Sequence, residues 1–304
     1  MLTIIIPAYN HQGYVLESLA AARQVNIPGV KVIVIDDGST DGTLRVVEDY
    51  LAKFPADNVQ VLSKPNGGLV SSLILGLELA DTPYIYIVAS DDILIPAGIV
   101  HCLDSLERFP ELKFCVGGGE NYYEDDPSLT SSVYGAAHNE FFQLSEKKRR
   151  EALFLAYPQP ILLQSTLFRV DALKAIGGWD RQILLDDYPT FIKMFSRFPK
   201  INKDFIFQPD VLVVKYRQHG TNSYKNVERL FGIVKQMLCK LAPAKLYPRA
   251  MGKVLALHFL GAVRSGQASK GLKILKGHGA GVYLNFSFYL AFFIFKFLLV
   301  RIRK

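Results

Sequence analysis

Cysteine is scarce in this chain. Its three copies, Cys102, Cys115 and Cys239, show no C-x-x-C spacing and no even set, which excludes a disulfide framework and a zinc site built on paired thiols. Two phosphate-binding signatures are also missing. Neither G-x-G-x-x-G nor G-x-x-x-x-G-K-[ST] occurs, so dinucleotide-dependent dehydrogenases and P-loop NTPases are set aside. Acidic residues almost vanish from the last third. Residues 215–304 hold 17 Lys/Arg against one acid, Glu228, while residues 1–214 hold 18 against 27. A basic region on an acidic body points to an anionic partner for the tail, either lipid or nucleic acid. There is no internal repeat, and no basic leader precedes the first apolar run: Met1-Leu2-Thr3 leads directly into it, so the body is expected in the cytoplasm.

What is present is a chain of 304 residues, half apolar and about a fifth charged, enough for one large domain and an appendage. Its first hundred residues alternate short β-branched runs with helical patterns. Thr3–Pro7, Lys31–Ile35, Val59–Leu62 and Tyr84–Ala89 read as strands; Tyr14–Gln24, Thr43–Phe54 and Val70–Ala80 read as helices. This rhythm predicts an α/β fold with a mostly parallel sheet flanked by helices. Ligands of such sheets bind beyond the carboxyl ends of the strands. Three polar clusters fall there: Ala8-Tyr9-Asn10, Asp36-Asp37 and Asp91-Asp92. Further on, Gly117-Gly118-Gly119 reads as a turn.

The acids carry the chemistry. Asp91-Asp92 ends an apolar strand, and adjacent carboxylates are costly without a cation. Hard oxygen ligands suit Mg²⁺ or Mn²⁺, which in turn bind a diphosphate. The bland reading of the same pair is a solvated turn before a helix near Pro96. Asp36-Asp37-Gly38-Ser39-Thr40-Asp41-Gly42 is a second acidic turn, suited to a ribose hydroxyl or a base N–H, or simply to a strand-to-helix turn with a cap. Asp186-Asp187 offers a general base, since a neighbouring acid raises one carboxyl's pKa, or an acid-rich helix start. In Tyr216-Arg217-Gln218-His219, Arg217 suits a phosphate and His219 a metal.

Taken in order, these stretches resemble the family 2 glycosyltransferases, which have the GT-A fold. The stretches are Ile4–Asn10, Val34–Thr43, Asn66-Gly67-Gly68, Ala89–Pro96, Gly177-Gly178-Trp179-Asp180, Asp186-Asp187 and Tyr216–His219, and the likeness covers residues 1–225. The resemblance implies an inverting transfer from a nucleotide-sugar, a UDP-sugar favoured, with a divalent metal. It places Pro7, Ala8 and Tyr9 in the nucleobase pocket, with the Tyr9 ring on the base. Asp36 or Asp37 would hold base or ribose, and Lys64, Asn66, Gly67, Asp91, Trp179 and Arg217 would contact substrate. Asp92 would ligate the metal, with Asp91 and His219 completing the set. Asp187 would be the base, with Asp186 beside it. Three positions depart from the family's habit. Ala89 stands where an acid often begins the metal motif, Asp186 where Glu is usual, and Leu73 near where a basic residue is common, a role Lys64 would take.

Residues 226–304 read as a basic helical extension. Glu228–Leu241 and Arg249–Arg264 carry apolar helical stripes, and Val282–Val300 is nearly all apolar. At 1.5 Å per residue its 19 residues reach about 28 Å, against a bilayer core of about 30 Å. Asn285 and Lys296 share one face, which fits a helix lying in the membrane interface or packed on the body. The expectation is association with the inner face of the cell membrane and a glycan or lipid-linked acceptor for cell-surface polysaccharide. Two alternatives are a nucleotide-sugar-binding protein without turnover and a nucleic-acid binder using the basic tail. Two intact acid pairs speak against the first, and the apolar end against the second.

Overall fold

The computed structural model describes residues 1–126, 128–218 and 227–302. It divides into two compact units, Met1–Glu146 with Pro158–Gly220, and Lys147–Tyr157 with Thr221–Lys304. The short segment 147–157 therefore groups with the C-terminal helices, whereas the sequence pattern gave no sign of leaving the first domain there.

The first unit begins with the alternation expected: β1 (Leu2–Ala8), α1 (Val15–Arg23), β2 (Lys31–Asp36), α2 (Thr43–Lys53), β3 (Val59–Ser63), α3 (Leu69–Leu79) and β4 (Tyr84–Ile87). β5 (Ile93–Leu94), α4 (Pro96–Arg108), β6 (Phe114–Tyr123), β7 (Thr130–Ser132) and α5 (Ala136–Gln143) follow. Helix α6 (Glu146–Leu155) opens the excursion into the second unit. The chain returns through a 3₁₀ turn at Leu163–Ser165 into β8 (Thr166–Arg169), α7 (Val170–Ala175), α8 (Asp187–Arg197) and β9 (Phe205–Gln218).

The sheet order is β3-β2-β1-β4-β8-β6-β9-β5, with β7 pairing β6. β1 pairs in parallel with β2 and β4, and β2 with β3. β8 enters antiparallel between β4 and β6. The fold is thus mixed α/β with a mostly parallel half, as the alternation predicted. Both faces are covered, which is why the strands read as unbroken apolar runs. Leu2, Ile4 and Ile6 pack with Val32 and Val34 over Val15, Leu19, Ile99 and Leu103. The opposite face brings Ile5 against α3, so closely that a Cβ on Gly76 would sit 2.8 Å from the Ile5 side chain. Beyond β8 the core is aromatic. Phe114 stacks on Phe205 at 4.8 Å between centroids, and Phe195 of α8 packs on both.

The triple glycine is not a turn. Gly117-Gly118-Gly119 lies inside β6, where the pairing with β9 shifts register twice. A Cβ on Gly118 would stand 2.2 Å from the Pro209 carbonyl oxygen. Backbone crowding at a bulge, rather than chain reversal, requires glycine here. The bulge lets β9 run on past it to Tyr216-Arg217-Gln218, opposite Asn121-Tyr122-Tyr123.

The second unit gathers α6 with α9 (Val227–Leu241), α10 (Tyr247–Arg264), α11 (Ala268–Ile274) and α12 (Ala280–Ile302). Met237 and Leu238 of α9 and Ala250, Met251, Leu255 and Ala256 of α10 are buried. Arg249 pairs with Glu151 at 3.0 Å, tying α10 to α6.

Candidate active site

The carboxyl ends of β1, β2 and β4 deliver the three polar clusters side by side, because β1 lies between β2 and β4. Ala8 is directly opposite Asp36. Pro7 and Ala8 are buried, whereas the Tyr9 ring stands 44 % exposed at the strand's end. Asn10 follows with φ +54°, a left-handed conformation that asparagine tolerates. Its side-chain oxygen accepts the Thr40 N–H at 2.8 Å, and its own N–H donates to Ser39 Oγ at 3.0 Å. His11 bridges onward. Its N–H donates to Thr43 Oγ1 at 2.8 Å, Nδ1 is 2.7 Å from Ser90 Oγ, and Nε2 lies 3.9 Å from Asp91 Oδ2. The loop after β1 therefore laces the Asp36–Gly42 turn to the Ser90-Asp91-Asp92 turn.

Within the first of these turns the acids are tied inward. Asp36 is buried and accepts the Ser39 N–H and, at 3.0 Å, the Ser63 hydroxyl. Asp37 takes the Gly67 N–H at 2.9 Å and an ion pair from Lys64, whose ammonium also reaches Ser71 Oγ. Lys64 thus sits on Asp37, beside the residues expected to contact substrate. Asn66 and Gly67 are exposed beside this pair. Gly38 combines φ +70° with a would-be Cβ 2.8 Å from the Asn66 nitrogen, so only glycine fits.

The second turn holds the two acids expected to meet a metal. Asp92 is buried, with Oδ1 accepting the Arg217 N–H at 2.9 Å and Oδ2 accepting Gln164 Nε2 at 3.0 Å. Burial first, and the adjoining Asp91 charge second, push its carboxyl up to about 8. Asp187 begins α8 with Asp186 just before it. Its Oδ1 accepts the Leu163 N–H at 2.8 Å. Burial holds the Asp187 carboxyl well above the usual range; Asp186 and Asp92 raise it further, while the Leu163 bond works the other way. Asp186 is raised too, by burial.

Asp92 and Asp187 lie far apart in sequence, yet consecutive residues of one 3₁₀ turn grip them: Leu163 holds Asp187, and Gln164 holds Asp92. That turn is fixed from beneath. The Tyr86 hydroxyl donates to the Gln164 carbonyl at 2.5 Å, and Tyr134 Oη accepts the Leu162 N–H at 3.0 Å. Nothing in the sequence pattern singled out His11, Gln164, Tyr86 or Tyr134. His11 alone had a signal, since it follows the polar cluster at the end of β1.

Arg217 is placed differently from expectation. Its side chain is buried between the Tyr14 and Tyr122 rings at 5.0 and 5.2 Å. Its Nε donates to the Asp91 carbonyl at 2.7 Å, and its terminal nitrogens face Glu17 and Glu124. The guanidinium is engaged by protein partners, and Arg217 thereby braces the Asp91-Asp92 turn. Arg217→Lys keeps the charge but loses the fork. It should lower stability by about 1.5–3 kcal/mol, read by urea denaturation, and slow turnover with it. Trp179 is buried and lines a cavity with Ile74, Leu77 and Lys174, a lining that includes neither Asp92 nor Asp187. His219 lies outside the described residues.

A divalent cation fits this donor set. Among the described residues no three His, Cys, Asp or Glu side chains converge as a complete cage. Mg²⁺ needs none, since it is commonly held by one or two carboxylates plus substrate phosphates and water. Asp91 and Asp92 would supply the carboxylates, and the buried Gln164 Oε1, which has no protein partner, lies beside Asp92. A cation would also favour the ionised form of Asp92 that burial opposes.

Comparisons with known proteins bear on the fold and the family of the chain. The model for glycosyl transferase family 2 matches residues 3–173. A chondroitin synthase of Pasteurella multocida is 28% identical over 206 residues, 67% of this chain and 20% of that protein. The chain thus spans about a fifth of the length of that relative. Among solved structures, S. aureus TarS 1–349 in complex with UDP-GlcNAc aligns with TM-score 0.58 at 15% identity over 89% of each chain. The mannosyltransferase PcManGT of Pyrobaculum calidifontis, in complex with GDP-Man and Mn²⁺, gives 0.57 at 16% identity, covering 93% of this chain and 77% of that one. These likenesses confirm the GT-A fold. With its family signature running from β1 through the Asp91-Asp92 turn into α7, this chain belongs to glycosyl transferase family 2.

Proposed function

We propose that the chain transfers a sugar from a nucleoside diphosphate sugar, a UDP-sugar favoured, to a hydroxyl of a glycan or lipid-linked acceptor, inverting the anomeric centre. The observation that carries this reading is the Leu163-Gln164 step, which sets Asp187 and Asp92 within one site. The TarS and PcManGT complexes, with UDP-GlcNAc and GDP-Man, support a nucleoside diphosphate donor.

Pro7, Ala8 and Tyr9 receive the base, with the exposed Tyr9 ring offering its face. The Asp36 and Asp37 turn shapes the ribose side. Asp91 and Asp92 would hold the divalent cation, which would neutralise charge on the departing diphosphate. On the acceptor side, one oxygen of Asp187 is fixed by Leu163 and the other takes the acceptor's proton. As that proton moves, the acceptor oxygen bonds to the anomeric carbon. The bond from that carbon to the β-phosphate oxygen breaks, and its electron pair leaves with the nucleoside diphosphate. The raised pKa of Asp187 suits a base, because a carboxylate in the ordinary range is too weak to accept a hydroxyl proton near neutral pH.

The Pasteurella relative is named a chondroitin synthase. With the basic, apolar C-terminal helices, this supports a cytoplasmic enzyme at the inner face of the cell membrane that builds cell-surface polysaccharide. A panel of nucleotide-sugars should show one donor class that raises the melting temperature only with Mg²⁺ or Mn²⁺. NMR of the product should then give the anomeric configuration opposite to the donor's. Retained configuration would overturn the single displacement.

A further inference from the structure

Resting on the membrane reading above, we infer that α12 lies in the plane of an anionic membrane surface and does not cross it. The helix is long and apolar enough to span: Ala280–Leu299 makes about 30 Å at 1.5 Å per residue. Its neighbour forbids it. Pro248 faces Gly281, Gly252 crowds Asn285, and the Arg264 guanidinium lies 4.7 Å over the Phe297 ring. The sequence offset is the same in all three pairs, so α10 runs parallel to α12 along nearly its whole length. α10 carries Arg249, Lys253, His258 and Arg264. Arg249 Nε donates to the Tyr289 hydroxyl at 3.2 Å, half way along α12, while Nη1 of the same guanidinium holds Glu151. Crossing would drag this ion pair into hydrocarbon, where charges are expensive.

The face of α12 away from α10 tells what covers it. Leu284, Phe288, Phe292, Phe295 and Leu299 are 42–75% exposed, and Tyr283, Ile294, Phe297 and Leu298 widen the exposed apolar surface. The buried positions Val282 and Tyr289 lie on the α10 side. Exposed Arg264, Lys273, Lys276 and Lys296 belong to the same unit, and residues 215–304 contain one acid. A broad exposed apolar surface in a strongly basic unit matches a surface with acyl chains below and anionic headgroups above. Lying flat buries that apolar surface and leaves the charges of α10 on the water side.

The test is flotation of the full chain with phosphatidylcholine vesicles, with and without about one third phosphatidylglycerol. Binding should need the anionic lipid. The double variant Phe288→Glu/Phe292→Glu should weaken it by about tenfold or more, while transfer to a soluble acceptor stays unchanged. In a Cys239→Ser background, cysteines placed singly by His278→Cys and Lys304→Cys should both react with an impermeant maleimide added outside sealed vesicles. Protection of one end would show crossing and overturn the inference. Failure to float would also overturn it, as would a sedimenting dimer that the double variant turns into monomer, since a second copy then covers the apolar surface. Loss of turnover with either lipid would instead strike at the proposed function, which the soluble assay reads separately.

Discussion

Asp187→Asn should lower kcat by about two to four orders of magnitude, the usual contribution of a positioned general base, with little change in donor affinity. The substitution is nearly isosteric, and an amide oxygen can still accept the Leu163 N–H that now holds Oδ1. Fold and donor pocket should survive, and only proton acceptance is lost. In the parent enzyme, kcat/KM should rise with pH through a range above that of ordinary carboxylates. The base must be ionised to act, and burial, Asp186 and Asp92 all hold it protonated to higher pH. That ascending limb should be absent from the variant. A normal rate in Asp187→Asn, measured by release of nucleoside diphosphate, would remove Asp187 from the role. Asp186→Asn should have a milder effect, since the Asp186 carbonyl, not its carboxyl, receives the Thr190 hydroxyl at 2.6 Å within α8.

Asp92→Asn should trade function for stability. Metal-dependent donor binding should fall by about a hundredfold or more, as a ligand to a charge worth several kcal/mol is neutralised. Yet the apoprotein should become more heat-stable at pH 8. The sign follows from the proton count. The folded carboxyl titrates at about 8, the unfolded one at about 3.9. Between those values the folded chain keeps a proton that the unfolded chain has released. Stability therefore falls as pH rises from about 4 to about 8. The amide carries no such penalty, so the variant should melt at least about 2 °C higher than the parent at pH 8 and close to it near pH 4. Adding cation and donor should lift the parent and leave the variant unmoved. Equal melting curves at pH 8 would show that Asp92 is not held in a hostile environment.

Much of the first unit was legible because its signals are local. A buried parallel sheet demands apolar runs, and the turns at its carboxyl edge concentrate polar residues, so Asp36-Asp37 and Asp91-Asp92 stood out from their neighbours. The helices of the second unit were legible for the same reason. What escaped depends on long-range pairing. The glycines of β6 gave the same local signal as a turn, and only the approach of Pro209 on β9 separates the two readings. Arg217 looked like an anion binder because the sequence shows its charge and not the Glu17, Tyr14 and Tyr122 side chains that enclose it. Gln164 is an ordinary residue in an unremarked stretch, and its importance comes from where the chain returns after α6. The grouping of 147–157 with the C-terminal helices rests on contacts such as Arg249 with Glu151, for which no composition shift prepares the reader.

The short 3₁₀ turn works as a yoke. Leu163 holds one carboxyl and Gln164 the other, so under the proposed mechanism a displacement that improved the grip on the leaving group would also shift the partner that strips the acceptor. Under that mechanism the two halves of the reaction would keep step, and neither could be retuned alone. Changes in sugar or acceptor preference would then arise around this yoke, while the yoke itself kept a single setting.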